Sequence, residues 1–154
     1  MSPMDWAFLP LQRYFVFYGR ATRAEYWWFF LLQMLLSLIT TMIDVLLGLG
    51  GPEAPITTNP LLAIALFVPA MSVSVRRLHD INRSGWTIMA YAGYPIAAVV
   101  VGLVLTAILG GFGFVLMIIG VALVTIGYFI LMASDGSRGE NLYGHNPYGL
   151  NYGQ

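Results

Sequence analysis

The 154-residue chain is too apolar for a water-soluble domain, because 58% of its residues are hydrophobic and 9% are charged. Soluble domains devote about 25% of their residues to charge, so lipid must form part of the solvent here. The net charge is zero and cysteine is absent. These two features give no general attraction to nucleic acid and exclude disulfides, thiolate metal sites and a cysteine nucleophile.

Residues 1–25 are predicted to form a cytoplasmic segment that lies along the membrane surface. Within it, the stretch WAFLPLQRYFVFY mixes aromatic side chains with Gln12, Arg13 and Pro10, which interrupt the apolar run. A membrane span is therefore not expected. Aromatic rings at headgroup depth are typical of an interfacial amphipathic segment.

Four long apolar stretches follow, and about 20 helical residues cross the roughly 30 Å hydrocarbon layer. Open strands are excluded, because backbone polar groups in lipid must be hydrogen-bonded internally. We therefore predict an all-α membrane protein with a four-helix transmembrane domain over residues 26–133 and a cytoplasmic tail over residues 134–154. The four predicted transmembrane helices are about 26–49, 60–75, 86–109 and 112–133.

Proline and glycine shape three of these helices. Pro69 lies inside the second, shortest helix and removes a backbone hydrogen bond, so we expect a kink there. A Gly-Gly pair at 110–111 separates the last two helices and predicts a tight antiparallel hairpin. Gly113, Gly120 and Gly127 recur every seven residues, which places them on one helix face. That face predicts close contact with the third helix or with a helix of another protein.

All seven basic residues are arginine, and they lie on one side of the predicted membrane. They precede the first helix, separate the second from the third, and follow the fourth. Basic residues near helix ends stay in the cytoplasm, so we expect both termini on the cytoplasmic side of a bacterial inner membrane. The arginines are Arg13, Arg20, Arg23, Arg76, Arg77, Arg83 and Arg138.

Three motifs carry a resemblance to a known family. They are GRATRAEYWWFF at 19–30, PAMSVSVRRLHDINRSGW at 69–86 and GSRGENLYGHNP at 136–147. In this order they resemble the YhaH-type small bacterial inner-membrane proteins, domain-of-unknown-function family 805, over about residues 10–149. The resemblance implies a four-helix membrane domain with no agreed biochemical activity.

The charged residues near the predicted cytoplasmic helix ends form a candidate site, which we call the arginine rim. Arginine–carboxylate pairs there could clamp the helix ends together. Surplus arginine beside interfacial aromatics could instead bind anionic lipid headgroups or phosphate, and the two roles can coexist. The rim comprises Arg20, Arg23, Glu25, Arg76, Arg77, His79, Asp80, Arg83 and Arg138.

A catalytic interpretation of the rim depends on His79 and Asp80, which could form an acid–base pair. Adjacent residues seldom direct their side chains at each other, however. Ser84 is better explained as a helix N-cap than as a nucleophile. His79, Asp80 and the distant His145 make a weak metal-ligand set. We therefore predict no catalytic residue, no metal and no cofactor.

A polar stripe runs along the first predicted helix, where Gln33, Ser37, Thr40 and Asp44 are spaced to share one face. Ionisable residues inside a membrane are functional candidates, so the stripe could line a path for a proton or small solute. Its alternative role is hydrogen bonding between helices, which we favour because Asp44 lies near the external headgroups.

The leading functional hypothesis is a non-enzymatic accessory or scaffold subunit. It would bind anionic lipid, a larger membrane complex or a second copy of itself through the arginine rim. A small oligomeric transporter or channel that uses the polar stripe is the alternative. An interfacial lipid-modifying enzyme that uses His79 and Asp80 is the third hypothesis.

Overall fold

A computed structural model describes residues 1–49 and 57–147 of the chain. These residues form five helices, and the last four are each long and apolar enough to cross a membrane. No strand occurs in the described ranges beyond one isolated bridge between Asn141 and Gly144. The predicted all-α membrane fold with four transmembrane helices is confirmed. The helices are α1 Pro3–Gln12, α2 Arg23–Leu46, α3 Thr58–Asp80, α4 Thr87–Leu109 and α5 Gly111–Ala133.

The N-terminal segment contains helix α1, which packs against α2. A capping box begins it: Ser2 N–H donates to the Asp5 carboxylate at 2.6 Å, and Asp5 N–H donates to the Ser2 hydroxyl at 3.1 Å. Hydrogen bonding of the Asp5 carboxylate to the Ser2 backbone N–H, and to the Ser2 side chain, lowers the pKa of Asp5. Ala7 and Pro10 are buried, whereas Met4 and Phe8 are exposed, so α1 has an inner face and an outer apolar face.

Helix α3 is longer than the predicted 60–75, because it continues to Asp80 and begins at Thr58. The predicted bounds place Arg76 and Arg77 in the connection after this helix, since charge usually marks the exit from a membrane. Both side chains are instead buried against protein. At 23 residues, α3 spans about 35 Å, which is enough to cross the bilayer without local thinning.

The hydrophobic core lies at the arginine end of the bundle. Phe29 of α2, Val73 and Leu78 of α3, and Met132 of α5 are each at most 1% exposed. Ile88 of α4 joins the same cluster. Apolar residues elsewhere on α2, α4 and α5 are mostly exposed, as expected for helices whose outer faces meet lipid.

Helices α4 and α5 form an antiparallel hairpin around Gly110, whose φ of +61° favours glycine. A Cβ on Gly113 would overlap the backbone carbonyl of Leu105, so the two helices approach closely there. A Cβ on Gly120 would lie 3.6 Å from Tyr94 of α4, whereas one on Gly127 would meet nothing within 4 Å. Gly113 and Gly120 therefore lie on the side of α5 that packs against α4, which is the third predicted transmembrane helix.

Candidate functional site: the arginine rim

The last turns of α3 are the centre of the arginine rim. Arg76, Arg77, His79 and Asp80 follow one another there, and all four are buried. The segment before α2, the first turn of α2 and the chain after α5 cover them. The rim is thus assembled from parts of the chain that are far apart in sequence.

Asp80 joins two arginines from different elements. Its Oδ1 accepts from Arg20 Nε at 2.9 Å and Nη2 at 2.8 Å, and its Oδ2 accepts from Arg77 Nη1. None of the three side chains is more than 1% exposed. Two guanidinium groups and one carboxylate leave one positive charge in this cluster, so nearby carbonyl oxygens must compensate for it.

The chain after α5 supplies those carbonyls to Arg20. Arg20 Nη1 donates to Gly139 O at 2.7 Å, and Nη2 donates to Ser137 O at 2.6 Å. In return, the Ser137 N–H and hydroxyl donate to the Asp80 carbonyl at 2.9 and 3.0 Å. The tail is therefore fastened to the end of α3 by hydrogen bonds in both directions.

Arg77 binds the end of α5 in a similar way. Its Nε donates to Met132 O at 3.0 Å, and its Nη2 donates to Ser134 O. Gly136 passes so close to Asp80 that a Cβ there would lie 2.7 Å from the carboxyl carbon. A side chain at this position would push the tail off the rim. Gly136 is not among the predicted site residues, although it lies inside the third family motif.

A second buried ion pair joins α2 and α3. Arg76 Nη1 donates to Glu25 Oε1 at 2.5 Å, and the two side chains are 1% and 2% exposed. The Thr22 hydroxyl caps α2 by accepting from Glu25 N–H at 3.1 Å. Arg76 Nε and Nη2 have no hydrogen-bond partner among the residues that the structure describes.

His79 and Asp80 do not act on each other. His79 Nδ1 lies 3.1 Å from the carbonyl oxygen of Gly19, and its ring stacks on Tyr143 with centroids 3.8 Å apart. Asp80 is directed instead to Arg20 and Arg77. The geometry therefore gives no support to an acid–base pair, and residues 1–49 and 57–147 contain no cluster of three or more metal-ligand side chains.

The remaining rim arginines are exposed. Arg23 forms an ion pair of 2.5 Å with Asp135, and these side chains are 47% and 92% exposed. Arg83 and Arg138 are exposed and form no side-chain ion pair within the described part of the chain. Arg13 is not one of the rim residues, but it is also exposed and also forms no side-chain ion pair within the described residues.

The polar stripe lies near the opposite end of the bundle and bonds to the first turn of α3. Ser37 and Thr40 each donate to Asn59 Oδ1 at 2.9 Å. Both carboxylate oxygens of the buried Asp44 accept from the Thr58 N–H, the first of α3, at 3.0 Å. Gln33 is separate from these contacts and lines a cavity of about 190 Å³ beside α5.

Residues 14–145 match the family model described as "Protein of unknown function (DUF805)". The chain belongs to the DUF805 family. The matched region contains every rim residue and the tail segment that Arg20 and Arg77 bind. The buried ion pairs therefore lie within the part of the chain that defines DUF805.

Two curated relatives support the membrane assignment of this DUF805 chain. It is 28% identical to the inner membrane protein YhaI of Escherichia coli K12 over 148 residues, which cover 94% of this chain and 96% of YhaI. It is 40% identical to the inner membrane protein YhaH of the same strain over 85 residues, which cover 54% of this chain and 69% of YhaH. No solved structure matches the chain.

Proposed function

We propose that this chain is a non-enzymatic accessory or scaffold protein of the bacterial inner membrane. It binds anionic lipids at its arginine rim. It contacts a membrane partner either directly or through these lipids. The observation that carries the proposal is the division of the arginines into a buried set and an exposed set.

The buried set is occupied by protein. Arg20 and Arg77 share Asp80 and donate to tail carbonyls, and Arg76 pairs with Glu25. Fixed, desolvated guanidinium groups of this kind orient the elements that they join. Their role is to hold the helix ends and the tail in one arrangement.

The exposed set is available to ligands. Arg13, Arg83 and Arg138 come from three separate stretches and form no direct ion pair with a carboxylate within the described ranges, although the Arg13 charge acts on the buried Arg76–Glu25 pair. Exposed aromatic side chains accompany them, including Phe15 and Trp86. Aromatic rings and surplus arginine at a membrane interface favour anionic headgroups such as phosphatidylglycerol or cardiolipin.

The proposal includes a cytoplasmic position for the rim, which the arginine distribution supports. Cysteine labelling tests it cleanly because the chain has no cysteine of its own. In intact cells, a membrane-impermeant maleimide should label a Leu47→Cys variant. It should label a Glu140→Cys variant only after permeabilisation. Labelling of Glu140→Cys in intact cells would contradict the proposed orientation.

Lipid binding is tested by energy transfer from the tryptophans to dansyl-labelled phosphatidylglycerol in phosphatidylcholine vesicles. An interfacial arginine contributes about 1 kcal/mol to anionic-lipid binding, which is about fivefold in affinity. Glutamine at position 13, 83 or 138 should each lower affinity by about that factor. The triple variant should lower it about a hundredfold.

Arg23→Gln is the matched control, because Arg23 is exposed at the same end but is already paired with Asp135. It should change affinity less than twofold. Equal losses for Arg23→Gln and the other three single variants would contradict the proposed division of the arginines. Unchanged affinity in the triple variant would remove the proposed lipid contact altogether.

Transport receives less support from the geometry. The hydroxyl and carboxylate groups of Ser37, Thr40 and Asp44 are bonded to the first turn of α3. These bonds support a role of the stripe in joining α2 to α3. A lipid-modifying reaction receives little support as well, because His79 and Asp80 face different partners.

A further inference from the structure

An apolar groove lies between α3 and the α4–α5 hairpin, in the membrane-spanning part of the chain. The hairpin joins the core through Ile88 and Met132 at the arginine end. Farther along the bundle, Phe67 and Ala70 of α3 and Val124 of α5 line a space of about 320 Å³. The groove lies among helices whose outer faces meet lipid.

A second cavity, of about 510 Å³, adjoins the groove. Met71 and Ile88 line both spaces, so the two lie side by side. The second cavity lies at the rim, where Phe17, His79 and Trp86 line it, and we call it the mouth. Each volume lies in the range of about 300–1,000 Å³ typical of small-molecule sites.

His79 places a hydrogen-bond acceptor at the mouth. Its Nδ1 lies 3.1 Å from the Gly19 carbonyl oxygen, which can only accept, so Nδ1 carries the proton. In the neutral ring, Nε2 then has a free lone pair. Gly85 leaves this atom uncovered, since a Cβ there would lie 3.4 Å from Nε2. His79 is 9% exposed, and Nε2 has no hydrogen-bond partner within the described residues.

We propose that the groove and the mouth hold one phospholipid with an ethanolamine headgroup. An acyl chain lies in the groove, and the primary ammonium group donates a hydrogen bond to His79 Nε2. The groove is mostly apolar and the mouth contains an acceptor. This arrangement matches an amphiphile that has a hydrogen-bond donor in its headgroup. Its polar end is His79, whereas Arg13, Arg83 and Arg138 carry the proposed anionic-lipid contact.

The aromatic rings at the mouth favour a cationic headgroup, and the acceptor on His79 favours one that carries an N–H. Phe17 and Trp86 line the same space as His79, and aromatic faces attract cations. A choline headgroup is also cationic but has no N–H to donate. A glycerol headgroup has hydroxyl donors but leaves the lipid with a net negative charge, which gains nothing from the rings.

Native mass spectrometry of the full chain at pH 8 tests the site with three lipids that have identical acyl chains. Phosphatidylethanolamine should bind about tenfold more tightly than phosphatidylcholine, as expected for one charge-assisted hydrogen bond. Equal affinity for these two lipids would overturn the proposal. In the variant with glutamine at positions 13, 83 and 138, which lacks the proposed anionic-lipid contact, phosphatidylglycerol that binds as tightly as phosphatidylethanolamine would overturn the assignment of the ammonium group.

Two variants separate the mouth from the groove. His79→Phe keeps an aromatic ring beside Tyr143 and removes Nε2, so both lipids should bind with the affinity of phosphatidylcholine. Val124→Phe fills the groove and should weaken both lipids about tenfold. Leu123→Phe, an exposed neighbour outside the groove, is its control and should change neither. Equal effects of the two α5 variants would contradict the groove assignment.

Folding of each variant is checked by thermal unfolding. If His79→Phe does not fold, Gly85→Ala provides the same test, because its methyl group covers Nε2 once Val75 shifts slightly. It should also abolish the preference for phosphatidylethanolamine. A preference that survives in Gly85→Ala would contradict the role of His79.

Discussion

Replacing Asp80 with asparagine removes the carboxylate that Arg20 and Arg77 share. The loss leaves two buried guanidinium charges without their counter-ion, at a site where no side chain is more than 1% exposed. Breaking a buried ion pair by removing one partner costs about 3–5 kcal/mol. Three carbonyl bonds to Arg20 and two to Arg77 remain, so we expect about 3–4 kcal/mol.

The measurement is the unfolding free energy in mixed micelles titrated with SDS, followed by tryptophan fluorescence. Asp135→Asn is the matched control, because it makes the same chemical change at an exposed arginine pair. Exposed pairs contribute about 1 kcal/mol or less. If Asp80→Asn destabilised the protein no more than Asp135→Asn does, the buried cluster would not hold the rim together and the reasoning would be refuted.

Three further substitutions test single contacts. Asp44→Ala removes the acceptor for the first N–H of α3 and should cost about 1 kcal/mol in the same unfolding assay. Gly136→Ala should destabilise the protein and expose the tail to limited proteolysis, because the added methyl group overlaps Asp80. Gly113→Ala should destabilise the α4–α5 hairpin, because its Cβ meets the α4 backbone, and thermal unfolding measures the loss.

The glycine predictions have controls in the same chain. Alanine at Gly139 or Gly127 places a Cβ where nothing lies within 4 Å, so neither change should destabilise the protein through a clash. Equal proteolysis of the Gly136 and Gly139 variants would contradict the close passage of the tail over Asp80. Equal unfolding temperatures for the Gly113 and Gly127 variants would contradict close packing in the hairpin. A neutral Asp44→Ala variant would show that its bond to α3 contributes nothing.

Most of the fold could be predicted, because it follows from two constraints. The apolar stretches are long enough to cross the membrane, and backbone groups in lipid must form their hydrogen bonds within a helix. The end of α3 was harder to predict, because Arg76 and Arg77 carry charges that usually mark a loop. Their burial depends on Glu25 and Asp80, and one of these partners is 51 residues away in sequence. A single sequence gives no signal for such long-range pairings.

The candidate site was predicted as a set of residues but not as an arrangement. The sequence left open which arginines contact protein and which face the membrane. The structure identifies the arginines that contact protein, because Arg20, Arg76 and Arg77 are buried. Gly136 and Ser137 were missed as rim residues because their role comes from the path of the tail over Asp80, which no local pattern encodes.

Native mass spectrometry of the protein, extracted from its own membrane in mild detergent, tests the central claim most directly. We expect bound anionic phospholipid or a co-migrating membrane partner. Both should be lost from the variant with glutamine at 13, 83 and 138 and retained in Arg23→Gln. A lone, lipid-free monomer of 17.0 kDa would contradict it.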